Sequence, residues 1–152
     1  LSQCVQKASA DLPTHIMLAR ICVSEAGWDR PHECQAIYSA LHNKSKAHGT
    51  SLRGHMKRYS PRVFSPERTD NRRWLATLHR KVEPTGWPKA VPWRQWGRPK
   101  WDRAVTAARD ILKEGRVICS AWDWGDENDW KTYRGVRVDC GPGLLNIFGR
   151  PE

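Results

Sequence analysis

The sequence has no apolar run approaching the roughly 18 residues of a membrane-spanning helix, so no membrane span is predicted. Its first residues lack the basic start and apolar stretch of a signal peptide, although the absent initiator Met is compatible with a removed leader or a longer parent chain. The 152 residues suit a single domain, 1–152, large enough to bury a core without a metal ion or disulfide. Membrane spans, collagen and coiled coils are excluded.

Metal-ligand spacings are also missing. The six histidines form no HxxxH or HxH pair, and the five cysteines form no CxxC pair, so we predict no metal site and no cofactor. Cys22 and Cys34 fall on apolar helix faces, where a free thiol packs as a small hydrophobic group. Cys119 and Cys140 flank a tryptophan-rich loop and are candidates for pairing in an oxidising compartment.

Acidic residues are scarce in the middle of the chain. Residues 44–103 contain 16 Lys or Arg but only four Asp or Glu, and the whole chain carries a net charge of +10. This distribution predicts a cationic surface that attracts a polyanion. Nucleic acid, anionic lipid and a bacterial wall polymer are the candidates, and a solubilising surface without a partner is the alternative.

Hydrophobic spacing predicts a mainly α chain with a little β structure, the α+β class. Asp11 is expected to cap the first helix and Gly115 to end the last one. The expected helices cover residues 13–27, 31–46, 71–81 and 100–114.

The segments between the helices carry Gly, Ser and Pro punctuation. Residues 49–66 are expected to form a loop or an irregular hairpin, and residues 83–99 an ordered loop rich in tryptophan. The C-terminal part is expected to contain short strands at 117–122 and 133–140 around the acidic loop 123–130, then a turn at 141–143 and an apolar piece ending at Phe148.

Glu25 is the most informative single residue. It shares one helix face with Leu18, Ile21 and Cys22, at i, i+3, i+4 and i+7 spacing. Burial on an apolar face raises the pKa of a carboxyl group, and a Glu that stays protonated near neutral pH is suited to general acid catalysis. A salt bridge to one of the many Arg residues, or an outward-turned helix end, is the structural alternative.

The segments around Glu25 resemble the cell-wall hydrolase family of spore cortex-lytic enzymes, part of the lysozyme superfamily. The resemblance is carried by Ala19 to Gly27, Cys34 to Asn43, Val63 to Ser65, and the helix from Trp101 to Gly115. It covers roughly residues 16–115 and, weakly, residues 146–148. The chain departs from the family pattern where Lys44 follows Asn43 and where Val63 precedes the Phe-Ser pair.

This resemblance implies a lysozyme-like fold with a small β region and a peptidoglycan-cleaving activity. The family's catalytic acid is the Glu of the Glu-Ala pair, which here is Glu25. The implied reaction is cleavage of the MurNAc-GlcNAc β-1,4 bond at the bacterial cell wall, from the periplasm, the exterior or a virion. A small basic enzyme of this kind is typical of phage lysins, and we expect it to be a monomer.

A second catalytic carboxylate has no clear position in the sequence. Asp29 lies beyond the Gly that ends the helix, and Glu67 and Asp70 reach the cleft only from its far side. A hydrolase usually needs such a partner. A lytic transglycosylase needs only one acid/base, since the muramic 6-hydroxyl attacks internally, so the sequence favours this reaction over hydrolysis.

Five polar or aromatic side chains are expected to bind substrate near Glu25. Trp28 is the candidate for stacking on a sugar ring. Core packing is the alternative for Tyr38, and helix capping is the alternative for Asn43. The complete set is Ser24, Trp28, Tyr38, Asn43 and Ser65.

The other tryptophans divide by their spacing. Trp74 and Trp101 have helical spacing typical of core residues. Trp87, Trp93 and Trp96 lie in a loop with two arginines, which suits either a sugar platform or packing within the loop.

Two further functional classes remain open. A nucleic-acid-binding protein or nuclease would use the cationic segment and its aromatic residues, but no helix-turn-helix, zinc or RNA-binding signature accompanies them. A lysozyme-like module that binds the wall without cleaving it is the other alternative.

Overall fold

The computed structural model describes residues 12–59, 87 and 89–152. In this part of the chain, helices α1 (Thr14–Ala26), α2 (Pro31–Ala47) and α3 (Leu52–Tyr59) precede a π-helical turn (Trp93–Gly97) and helix α4 (Arg98–Glu114). Strand β1 (Asp123–Gly125), the short helix α5 (Glu127–Trp130), and strands β2 (Gly135–Arg137) and β3 (Ile147–Pro151) follow. The predicted class, mainly α with a little β, is confirmed. The predicted helix at 71–81 lies outside the described residues, as does the Asp11 cap.

Helix α1 lies at the centre of the fold. It packs against α2, α3 and α4, and Met17, Leu18 and Ile21 are fully buried in these contacts. A helix enclosed on several sides needs apolar residues around most of its circumference, which is why nearly all of α1 is buried. The predicted end at Gly27 is confirmed, because α1 ends at Ala26.

Helix α2 also matches its prediction, with Pro31 in the first turn and its apolar stripe buried. The expectation of free thiols at Cys22 and Cys34 is wrong. The two sulfur atoms form a disulfide that joins α1 to α2, with 5.2 Å between the Cα atoms. Both cysteines lie on the apolar stripes by which these helices pack, and that packing brings the two sulfurs together.

The loop or hairpin expected at 49–66 is corrected by helix α3. Gly49, between α2 and α3, has a φ of 66°. The hydroxyl of Ser51, directly before α3, accepts a hydrogen bond from the Gly54 amide at 3.0 Å. Met56 is fully buried on this helix. The Gly and Ser residues therefore separate two helices, and the described part of 49–66 is mainly helical.

Helix α4 begins two residues before its predicted start and ends at Glu114, as predicted. Gly115 follows with φ 65°, the left-handed conformation that favours glycine at a helix end. The loop expected at 83–99 is corrected at its C-terminal end, where a π-helical turn covers 93–97 and α4 begins at Arg98. Residues 83–86 and 88 of that range lie outside the described residues. A Cβ atom on Gly97 would overlap the rings of Trp93 and Trp87, so this turn requires glycine.

The three strands form one antiparallel sheet in the order β1-β3-β2. Trp124 of β1 lies opposite Phe148 of β3, and Val136 of β2 lies opposite Arg150. The strand expected at 117–122 is wrong, because β1 begins at Asp123; before it, Trp122 donates one backbone hydrogen bond to Gly149, at 2.7 Å. The strand expected at 133–140 contains β2. The C-terminal apolar piece, expected to end at Phe148, supplies only the first two residues of the central strand β3, which continues to Pro151.

The acidic loop and the second cysteine pair complete this region. Helix α5 forms within the acidic loop and begins with a capping box in which Asp126 and Asp129 each accept a backbone hydrogen bond from the other, at 2.9 Å. The candidate pairing of Cys119 with Cys140 is confirmed, with 5.1 Å between the Cα atoms. This disulfide joins the segment before β1 to the segment after β2.

Candidate functional site

Glu25 lies in the last turn of α1 with its side chain exposed, between the buried residues Ser24 and Ala26. Its expected burial with Leu18 and Ile21 is therefore wrong. The rest of the last turn is buried, so only the Glu25 side chain in this turn reaches the surface. The exposed carboxyl group is accessible to a polymeric substrate.

The backbone of Glu25 is held from the C-terminal part of the chain. The Asn146 side-chain amide donates to the Glu25 carbonyl at 3.2 Å. Carbonyls in the last turn of a helix have no partner within the helix, so Asn146 supplies the missing donor. Residue 146 directly precedes β3, and this bond therefore links the sheet to the end of α1.

Glu33 was not among the predicted site residues, yet it organises this corner of the molecule. Its residue is only 1% exposed, and its carboxylate accepts hydrogen bonds from the backbone amides of Leu145 and Asn146, both at 2.8 Å. The Asn146 side chain adds a third at 2.8 Å and Arg30 a fourth at 3.2 Å. The Arg30 and Glu33 pair at i, i+3 spacing is visible in the sequence, but their partners more than 100 residues away are not.

Arg30 reinforces the same contact, because its Nη2 donates to the Gly143 carbonyl at 2.6 Å. The loop of residues 141–146, hereafter the C-terminal loop, is thus held by two charged residues at the start of α2. Leu145 on this loop is 63% exposed. Two open depressions of about 430 and 450 Å³ lie on the surface here, one lined by Leu145 and Ile147 and the other by Asn146 and Ile147.

Trp28 belongs to a cluster of four tryptophans. Its ring makes edge contacts with Trp87 and Trp96, with centroid distances of 6.5 and 6.1 Å, and Trp87 contacts Trp93 at 5.0 Å. Trp93 is buried, whereas Trp96 is 39% exposed and has the Lys100 ammonium 4.9 Å from its ring centroid. Packing accounts for Trp93, and the exposed part of the cluster remains open to a ligand.

Asp29 follows Trp28 with a φ of 55°, a conformation that Asp and Asn tolerate better than most residues. Its carboxylate forms ion pairs with Arg103, at 3.0 Å, and with Lys100. The hydrogen bonds from Arg103 and Lys100 hold the pKa of Asp29 below its usual value. These contacts tie the segment after α1 to α4, and they occupy the carboxylate that the sequence offered as a second acid.

The other predicted substrate residues occupy different places. Ser24 is buried on α1, and Tyr38 is buried on α2, where burial raises the pKa of its hydroxyl. Asn43 does not cap α2, since the helix continues to Ala47. Its amide donates to the carbonyls of Cys119 and Ala121, both at 2.9 Å, and so fixes the segment before β1. Ser65 lies outside the described residues.

Two negative findings apply to the described residues only. Across 12–59, 87 and 89–152, no helix is both long and apolar enough to span a membrane. The same residues contain no group of three or more His, Cys, Asp or Glu side chains arranged to hold a metal ion.

Comparison of the chain with family models, curated proteins and solved structures finds no match.

Proposed function

We propose that the protein is a peptidoglycan-cleaving glycosidase, either a lytic transglycosylase or a muramidase, with Glu25 as its general acid. The observation that carries the proposal is the position of Glu25, exposed in the last turn of an otherwise buried helix and held at its carbonyl by Asn146. The resemblance of the surrounding sequence to cell-wall hydrolases assigns the same residue.

The proposed chemistry needs one proton donor at the scissile bond. Protonated Glu25 gives its proton to the glycosidic oxygen as the bond from C1 of MurNAc to that oxygen breaks, through an oxocarbenium-like transition state. The Glu25 carboxylate then accepts a proton from the group that attacks C1. Attack by the muramic 6-hydroxyl yields an anhydro end, and attack by water yields a reducing end.

The surroundings of Asp29 favour the transglycosylase branch. A muramidase usually uses a second carboxylate as nucleophile, base or electrostatic stabiliser. Asp29, the candidate nearest in sequence, is engaged by Lys100 and Arg103, and the other two candidates, Glu67 and Asp70, lie outside the described residues. Internal attack by the 6-hydroxyl needs no such partner, so anhydro products are the expected outcome.

Charge and cysteine pairing support the proposed location at the cell wall. Seven Lys or Arg side chains between residues 44 and 103 are exposed in the described part of the chain, which suits capture of an anionic wall. The disulfides Cys22–Cys34 and Cys119–Cys140 are typical of proteins that act outside a reducing cytoplasm.

The decisive variant is Glu25→Gln, which keeps the side-chain shape but removes the proton to be donated. General acid catalysis is worth roughly 10²–10⁴-fold, so turnover of purified peptidoglycan should fall by at least about 10². Because Glu25 is exposed, the free energy of unfolding should change by less than about 0.5 kcal/mol. Zymography and denaturant unfolding measure the two effects, and mass spectrometry of the released fragments identifies anhydro or reducing ends.

The matched control is Glu114→Gln, an exposed Glu at the end of α4, which should retain parental turnover. A Glu25→Gln protein that clears peptidoglycan at the parental rate would remove Glu25 as the acid. A parent that binds the wall without cleaving it would instead favour the binding-module alternative.

The exposed cations and the half-exposed Trp96 also suit nucleic acid. This second candidate predicts DNA affinity that falls steeply with salt, together with no cleavage of peptidoglycan. Filter binding over a salt series tests it.

A further inference from the structure

The Glu33 carboxylate is fully buried, and its hydrogen-bond donors come from Arg30 and from the C-terminal loop. Its side chain has no exposed surface, and three of the four hydrogen bonds that its carboxylate accepts come from Leu145 and Asn146. Burying a charge is costly and adds little net stability even when the charge is well paired. What this arrangement does achieve is a fixed position for the C-terminal loop against the start of α2.

Asn146 connects the C-terminal loop to the backbone of Glu25. A side-chain amide has two N–H donors, and here the Asn146 nitrogen contacts both the Glu33 carboxylate, at 2.8 Å, and the Glu25 carbonyl, at 3.2 Å. The acceptor belongs to the same residue whose side chain is the proposed acid. Holding that carbonyl limits fraying of the last turn of α1 and so fixes the direction in which the Glu25 side chain leaves the helix.

The C-terminal loop that carries Asn146 is itself held in place by the sheet and by Arg30. Residue 146 is followed at once by β3, the central strand, which is paired on both sides with β1 and β2. Arg30 holds the same loop at the Gly143 carbonyl. The last turn of α1 is therefore braced between the first turn of α2 and the sheet.

We propose that Glu33 and Asn146 form a positioning pair that holds the end of α1 and thereby orients Glu25 for proton donation. The proposal rests on the proposed role of Glu25. Neither residue touches the reacting bond, so both act on turnover through geometry. A displacement of about 1 Å in a catalytic group can reduce the rate about 100-fold, and an unbraced helix end allows such a displacement.

The test compares Asn146→Ala with Gln35→Ala. Gln35 lies on α2 and, like Asn146, donates from its side chain to a distant backbone carbonyl, that of Arg116, at 2.5 Å. Among the described residues, it forms no hydrogen bond with the C-terminal loop. On soluble peptidoglycan glycan strands, Asn146→Ala should lower kcat about ten- to a hundredfold and change KM less than about twofold. Gln35→Ala should lose comparable stability and keep the parental kcat.

Glu33→Gln provides a second variant of the pair. Its amide group would turn an N–H toward the donors of Leu145 or Asn146, so the loop should loosen and kcat should fall as in Asn146→Ala. Both variants break the same connection between Glu33 and Asn146. The decrease in kcat of the double variant should therefore be much smaller than the product of the decreases in the two single variants. Fully multiplicative losses would contradict a shared action.

Amide hydrogen exchange gives a readout independent of activity. Asn146→Ala should speed exchange in the last turn of α1, and Gln35→Ala should leave it unchanged. The proposal is overturned if Asn146→Ala keeps the parental kcat, or if Gln35→Ala loses as much. If the parent does not cleave the glycan, the proposed function fails, and the exchange rates alone then decide whether Asn146 holds the end of α1.

Discussion

Asp29 has a left-handed backbone conformation and a carboxylate that forms two ion pairs. Its positive φ of 55° turns the chain sharply after α1, and its carboxylate bridges to Lys100 and Arg103 on α4. Lys100 also lies over the ring of Trp96. One acidic residue therefore connects the segment that follows Glu25 both to α4 and to the tryptophan cluster.

The substitution Asp29→Asn isolates the charge, since Asn adopts the same left-handed backbone without added strain. The hydrogen bonds from Arg103 and Lys100 lower the folded-state pKa of Asp29 below its usual 3.8. Its contribution is therefore present above pH 3.8 and is lost as the pH falls through the folded-state pKa. The side chain is 40% exposed, so the variant should lose less than about 1 kcal/mol near neutral pH.

Thermal unfolding of the parent and Asp29→Asn as a function of pH measures this contribution. The difference in Tm should be largest near neutral pH and should shrink as the pH falls below 3.8 through the lowered folded-state pKa of Asp29. A difference that grows toward low pH would contradict the assigned sign.

At the residue scale, sequence spacing predicts where the side chains of a helix point as long as the helix stays packed. Leu18 and Ile21 are buried as their spacing predicts. Glu25 fits the same spacing, yet it is exposed between the buried residues Ser24 and Ala26, so spacing alone does not predict burial at the helix end. The role of Glu33 was beyond prediction because its partners follow it by more than 100 residues, and no local pattern encodes such a contact.

At the scale of elements, the two disulfides brace different parts of the fold. Cys22–Cys34 joins α1 to α2 across a separation of 12 residues. Cys119–Cys140 spans 21 residues and encloses β1, α5 and β2. The first therefore stabilises the helix that carries Glu25, and the second stabilises the sheet region.

Replacing either pair by alanine should lower the free energy of unfolding by about 3 kcal/mol, because chain entropy gives similar values for loops of these sizes. Denaturant unfolding without reductant measures the loss. Thiol titration of the denatured, non-reduced protein should count no more than one of the five cysteines as free. Five reactive thiols would reject both disulfides.

The elements that the sequence predicted well are those with a long apolar period. Helices α1, α2 and α4 each contain several turns of regular spacing, and their bounds differ from prediction by only one or two residues. Helix α3 has eight residues, too few for the period to outweigh the Gly and Ser signals around it. The three strands have three to five residues, and pairing with β3 rather than local propensity sets where they begin.

At the scale of the whole molecule, the charge distribution concerns the encounter with substrate more than the fold. The exposed cations between residues 44 and 103 include Lys57 and Arg58 on α3 and Arg94 and Arg98 near the tryptophan cluster. Charge of one sign raises the local concentration of an anionic polymer and speeds its capture. Such attraction between exposed groups is screened within about 8 Å at physiological ionic strength.

Binding to purified cell walls should therefore decrease steadily as salt is raised, while the Tm stays nearly constant. The double variant Lys57→Glu with Arg58→Glu should weaken wall binding and reduce its salt dependence, since exposed cations of the middle segment are reversed. The matched control is Lys131→Glu with Arg134→Glu, two exposed cations outside that segment, which lowers the net charge equally. Sedimentation with cell walls at low and high salt measures binding. An equal loss in both double variants would assign the attraction to total charge, whereas parental binding unaffected by salt would show that exposed charge does not drive capture.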